Sequence, residues 1–110
     1  VKRITAEQFA TIHENEKPLT IDIRKKSEFQ SQHITDAVNI PLNEINNHLA
    51  EFPKDKPFIL HCAGGYRSMI AASMLKQRGW DNFSDVIGGF TEIAKTNVPK
   101  SEYICPSTML

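Results

Sequence analysis

Pro57-Phe58-Ile59-Leu60-His61-Cys62-Ala63-Gly64-Gly65-Tyr66-Arg67-Ser68 is the run that decides how this chain folds. Its first half is short and apolar at consecutive positions, the pattern of a strand buried on both faces. That strand delivers Cys62 to its carboxyl end. The paired glycines then allow backbone angles that other residues avoid, which makes the segment a tight loop and not a linker. Ser68 reads as the cap of a helix carrying Ile70, Ala71, Met74 and Leu75 on one stripe. Lys76 and Arg78 mark its last turn, and Gly79 follows the C-cap.

Working outward, the hydrophobic period keeps switching between strand-like and helix-like, which predicts an α/β domain built on one sheet. Upstream, Thr5 and Gln8 form a capping box that opens a helix reaching about Glu14, with Phe9 and Ile12 on its inner face. After Pro18, Leu19, Ile21 and Ile23 alternate with Thr20 and Asp22 as a strand that ends before Arg24. Ser27 is read as capping a short turn through Glu28 and Phe29, and Ala37 to Ile40 as a brief extended piece. Asn43 is expected to cap a helix with Ile45, Leu49 and Phe52 inward. Downstream, Phe83 to Ile87 reads as a strand, Gly88-Gly89 as a turn and Phe90 to Ala94 as a last short helix. No internal repeat, low-complexity stretch or linker interrupts the 110 residues, so the expectation is a single domain with a core at about residues 4–95 and a surface extension over 96–110.

Thirteen basic residues balance thirteen acidic ones. That balance leaves no electrostatic footprint for nucleic acid or an anionic membrane surface. No apolar run approaches the roughly 20 residues that cross a bilayer, and Val1 to Gln8 lack the layout of a signal peptide, so a cytoplasmic setting is the expectation. Neither Cys62 nor Cys105 has partners at zinc-ligand spacing, which predicts no metal and points to a reactive or buried thiol. The start at Val1 is compatible with excision from a longer fusion protein.

The order strand, Cys62, glycine loop, helix places the sulfur in a ring of backbone N–H groups at a helix N-terminus, where an anion is stabilised. A thiolate is such an anion, and cysteines so placed act as nucleophiles. Gly64 and Gly65 keep the loop clear of side chains, so that amides can turn inward as a nest. Arg67 adds a fork of donors suited to holding an anionic substrate. Ala63, Gly64, Gly65, Tyr66 and Ser68 complete the expected substrate-binding loop around catalytic Cys62, with Tyr66 at its mouth.

These residues resemble the rhodanese-like sulfurtransferases. Thr20-Ile21-Asp22-Ile23-Arg24 is similar to that family's Asp-x-Arg strand, and Ser27-Glu28-Phe29 to the acidic-aromatic pair after it. His33-Ile34 with Ala37-Val38-Asn39-Ile40-Pro41 resembles its next signature, Cys62 to Ser68 its active-site loop, and Gly88-Gly89-Phe90 its late glycine-glycine-aromatic element. One departure is Gln32, where the family usually has glycine. The resemblance implies an open parallel sheet with helices on both faces and Cys62 as a persulfide carrier. Its partners would be a small anionic sulfur donor, either thiosulfate or a low-molecular-weight persulfide, and a thiol or cyanide acceptor, with no cofactor. Cys62 to Met69 and the helix beyond also resemble rhodanese domains fused to metallo-β-lactamase-fold hydrolases, including enzymes similar to persulfide dioxygenases. A fused metallo-hydrolase would then be the natural partner.

Two other readings compete. A cysteine phosphatase or arsenate reductase would also use a cysteine and an arginine around a backbone nest, and His61-Cys62 echoes the phosphatase pair. Those enzymes use Cys-x5-Arg, whereas four residues separate Cys62 from Arg67. A regulatory module without chemistry is the third, since one fold serves several ends. Asp22 and Arg24 are expected as a supporting ion pair with Glu28 as Arg24's partner, His33 as a helper of local structure, and His13 and His48 as solvated helix residues. Trp80 is expected to pack against the helix end near Gly79. Cys105 is a candidate resolving thiol.

Overall fold

The computed structural model describes residues 2–102. Cys105 lies outside the described residues. The elements in chain order are β1 (Lys2–Ile4), α1 (Ala6–Glu16), β2 (Leu19–Asp22), α2 (Lys26–Ser31), β3 (Val38–Asn39), two 3-10 turns (Leu42–Asn47 and Leu49–Glu51), β4 (Phe58–His61), α3 (Tyr66–Gln77), β5 (Phe83–Val86) and α4 (Gly89–Ile93). The five strands form one sheet in the order β1-β5-β4-β2-β3, and every pairing is parallel.

A parallel sheet must be covered on both faces, and β4 shows how the sequence meets that demand. Phe58, Leu60 and Cys62 point into a core shared with Ala71, Leu75 and Trp80, while Ile59 points into a second core with Phe9, Val86, Phe90 and Ile93. The period-2 geometry of a strand thus divides one apolar run between α3 on one side and α1 with α4 on the other. The first residue of α1 follows a complete capping box, in which the Gln8 N–H donates to Thr5 Oγ1 and the Thr5 N–H to Gln8 Oε1. At the far end of α3 the Trp80 N–H reaches Leu75 O and the Gly79 N–H reaches Lys76 O, with Gly79 at φ +95°. This is the Schellman closure that Gly79 predicts, and it folds Trp80 back against Leu75.

Several local expectations need correction. The helix expected after Asn43 is replaced by the two 3-10 turns, which begin directly after Pro41 and still bury Ile45 and Phe52. Lys25, not Ser27, is the cap of α2, and Gly65, not Ser68, is the cap of α3. His13 is buried, 4% exposed, because it packs on Phe9 and faces Asp36 at 3.9 Å. His48 is indeed partly exposed, beside Glu44 and Glu51. The segment after α4 folds back: Val98 is buried, the Ser101 N–H donates to His33 O at 2.7 Å, and Lys100 bridges Ile34. Strand β1 has no counterpart in the sequence reading, since three residues are too few for a period to show. No helix among the described residues is long and apolar enough to cross a membrane.

Candidate active site

Three central strands end together, and the site stands on their carboxyl ends. Cys62 follows β4 directly and is fully buried, with the Gly65 N–H donating to its Sγ at 3.0 Å. Gly65 adopts φ +90°, and a Cβ there would stand 3.0 Å from Gly88 N. Gly64 has open space around its Cα, so the loop's need for glycine is concentrated at Gly65.

Gly88 and Gly89 do more than turn the chain. Phe90 N–H donates to Cys62 O at 2.6 Å, and Thr91 donates to Ala63 O through its N–H at 3.0 Å and its Oγ1 at 2.9 Å. The N-terminus of α4 therefore holds the carbonyls on the outside of the loop, which leaves the loop amide free to face the sulfur. A side chain on Gly89 would overlap the Cys62 carbonyl and stand 2.9 Å from Ala63 O.

Ser68 lies in the first turn of α3 and points inward. Its Oγ is 3.7 Å from Cys62 Sγ and 3.2 Å from Asp85 Oδ2, and Arg3 holds the Asp85 carboxylate at 3.1–3.3 Å. Neither Asp85 nor Arg3 was singled out from the sequence. The available signal was a carboxylate two residues after Phe83 in a buried strand, on the face toward α3.

Asp22 and Arg24 form the expected ion pair, bidentate at 2.8–3.0 Å and almost completely buried. Arg24 also donates to Gln32 O at 2.6 Å and lies 4.3 Å over the Phe90 ring. Glu28 is not its partner. Glu28 instead accepts from Arg67 at 2.8 and 3.1 Å, bridging α2 to α3. That bridge holds the Glu28 carboxyl below its usual range and raises the Arg67 guanidinium further. His61 points away from Cys62 to the other face of the sheet; burial lowers its affinity for a proton, and Asp22, 3.8 Å away, opposes this in part. Its Nε2 has no hydrogen-bond partner. His33 stacks on Phe29 and bonds Phe29 O through Nδ1 at 2.7 Å, the local structural role expected of it.

A cleft of about 660 Å3 runs beside the loop, lined by apolar Ile23, Pro41 and Leu42, by basic Lys25, Lys26 and Arg67, and by Asn43 and Glu44. Tyr66, 82% exposed, stands next to Arg67 at the start of α3. A larger cleft of about 830 Å3, between α1 and the segment after α4, contains none of the residues around Cys62. Among the described residues no group of three or more His, Cys, Asp or Glu side chains is arranged to hold a metal ion.

The family model of the rhodanese-like domain matches residues 5–96. The chain belongs to the rhodanese-like family. It is 34% identical over 99 residues to the thiosulfate sulfurtransferase GlpE of Pseudomonas syringae, covering 90% of this chain and 92% of that protein. Among solved structures, a rhodanese-related protein of Thermoplasma volcanium superimposes with a TM-score of 0.80 at 29% identity, covering 92% of this chain and 98% of that one. The CoADR-RHD protein of Bacillus anthracis gives a TM-score of 0.77 at 33% identity over 86% of this chain, which spans only 16% of that longer protein. A rhodanese-like domain thus stands here as a whole relative in one case and as a part in another. The five-stranded parallel sheet with helices on both faces is the architecture of these neighbours.

Proposed function

We propose that this rhodanese-like domain is a sulfurtransferase that carries sulfane sulfur as a persulfide on Cys62. The observation that carries the reading is the Gly65 amide aimed at Cys62 Sγ at 3.0 Å, in a loop with four residues between Cys62 and Arg67. A backbone donor so fixed stabilises negative charge on sulfur with no reorganisation during the reaction. A loop one residue shorter than that of the cysteine phosphatases makes a tighter nest, suited to a sulfur more than to a phosphoryl group. Relatives named as thiosulfate sulfurtransferases support the same reading.

In the first half-reaction Cys62 attacks the outer sulfur of thiosulfate or of a small persulfide, and sulfite or a thiolate leaves with the bonding electrons. In the second, a thiol or cyanide attacks the terminal sulfur and restores Cys62. Thiosulfate fills little of a 660 Å3 cleft. Its three basic residues against one acidic residue, Glu44, and its apolar wall favour a persulfide with carboxylates and an apolar body, a glutathione-like donor.

Incubation with either donor should add about 32 Da, the mass of one sulfur atom, to the wild type and nothing to Cys62→Ser. Persulfide formation or turnover in Cys62→Ser at the wild-type rate would overturn the proposal. An aryl phosphate assay run alongside should show no Cys62-dependent release of phosphate.

A further inference from the structure

Cys62 is buried, so the proton of its thiol has no direct way to water. Among the described residues the hydroxyl beside the sulfur belongs to Ser68, at 3.7 Å, with Gly65 O at 3.3 Å and Asp85 Oδ2 at 3.2 Å on its other sides. Ser68 and Asp85 are themselves 0% and 1% exposed. Keeping a carboxylate at such depth is unfavourable unless it is paired, and Arg3 supplies the pair from the edge of the sheet. A packed apolar residue at position 85 would hold β5 equally well, so the carboxylate asks for another explanation.

A serine hydroxyl has one hydrogen and two lone pairs. With its hydrogen directed to Asp85, a lone pair of Ser68 Oγ faces Cys62 Sγ and can accept the thiol proton. We propose that Ser68 and Asp85 form a proton relay for Cys62, Ser68 passing the proton and Asp85, its charge offset by Arg3, receiving it through Ser68. The proposal rests on the reading of Cys62 as a sulfur carrier. In the balanced step with thiosulfate, a bond forms between Cys62 Sγ and the outer sulfur while that sulfur's bond to the SO3 group breaks. The electron pair leaves with sulfite. The thiol proton moves to Ser68 Oγ as the Ser68 hydrogen moves to Asp85, and the Asp85 proton then returns through Ser68 to the departing sulfite, which leaves as bisulfite with Cys62 as an anionic persulfide. A persulfide anion donor balances in the same way, with the leaving thiolate taking the proton. No electrons are gained or lost overall.

The relay matters only while Cys62 is a thiol, and this gives it a pH signature. The charged and titratable groups facing the loop from the elements packed around it are the Asp22–Arg24 pair of β2, His61 of β4, Asp85 of β5, Arg3 of β1, the Arg67–Glu28 pair linking α3 to α2, and Glu92 of α4 beside Gly88. All but Asp85 are common to the wild type and both variants below. Single-turnover persulfidation, read by mass after acid quench, should be followed from about pH 6 to about pH 10. Ser68→Ala and Asp85→Asn should react about a hundredfold more slowly than wild type at the acid end, the low side of what general-base assistance contributes, and should converge on wild type at the alkaline end. An equal deficit at every pH would show a structural role and overturn the relay, as would no deficit at all. Ser68→Ala leaves the Arg3–Asp85 pair intact and decides alone if Asp85→Asn does not fold. A wild type that takes up no sulfur from either donor would sink the sulfur-carrier reading and the relay with it; a wild type that does, beside pH-independent variants, would sink the relay only.

Discussion

Arg67 meets its substrate, on the proposed reading, with its guanidinium already held by Glu28. A donor anion at the loop therefore adds to, or displaces, a carboxylate already in place. Because the fork is planar and fixed from one side, a point charge does not replace it. Arg67→Ala should raise the KM for anionic donors by about tenfold, the size of one charge-assisted hydrogen bond, with a smaller change in kcat; Arg67→Lys should recover only part of the loss. Steady-state kinetics with thiosulfate checks both, and an unchanged donor dependence would remove Arg67 from binding. The sign of the linkage at Glu28 is also set. Its folded carboxyl titrates below the unfolded one, so the bridge contributes fully above the ordinary carboxylate value and is lost as pH falls through the lower, folded value. The bridge stands throughout the neutral range.

At the scale of elements, the loop depends on a neighbour remote in sequence. Gly65 approaches Gly88, and the amide of Phe90 holds the Cys62 carbonyl. Gly89→Ala puts a side chain into that carbonyl at φ +56°, so either α4 withdraws or the loop turns its amides away from the sulfur. We expect a loss of about 1–3 kcal/mol in stability, measurable by urea denaturation, together with loss of persulfide formation. Gly64→Ala, with open space around it, should keep its fold. The sequence distinguishes neither pair of glycines by itself. Gly88-Gly89 reads as an ordinary turn because nothing local records which carbonyl lies against it, and Asn43 suggests a helix cap because Pro41's effect on the following turn competes with propensity. Ser68 reads as a cap by residue type, and only tertiary packing turns its hydroxyl toward Cys62 and Asp85.

For the molecule as a whole, the alternation of buried strands and amphipathic helices was legible, because it rests on periodicity repeated along the chain. The placement of Cys62 and its loop was legible for a related reason: strand, cysteine, glycines and helix are contiguous. The rest of the site was not, since Arg3, Glu28 and Asp85 meet the loop across separations of 39 residues for Glu28 to Arg67 and 17 for Ser68 to Asp85, which no short pattern encodes. His61 carries a property of the whole fold. Buried imidazole binds its proton more weakly than the unfolded side chain, so the unfolded state takes up more protons below the ordinary value of about 6.5. Stability is full above that value and should fall as pH drops through it, by at most about 1.4 kcal/mol per pH unit from this one group. Urea midpoints at a series of pH values should show the decline, and His61→Phe should flatten it between neutral and mildly acid pH.

The sheet ends on both sides in its shortest strands, three residues in β1 and two in β3. A short edge offers a passing chain few free N–H and C=O groups, so these strands act as guards against sheet-to-sheet recruitment. The family match begins at residue 5, after β1. A protein trimmed to that boundary would bare β5, a four-residue strand with Phe83 and Val86 in its span, as the new edge. Such a trimmed protein should scatter light on warming before the 110-residue chain does, since it loses Ile4 from the core together with the strand that covers β5.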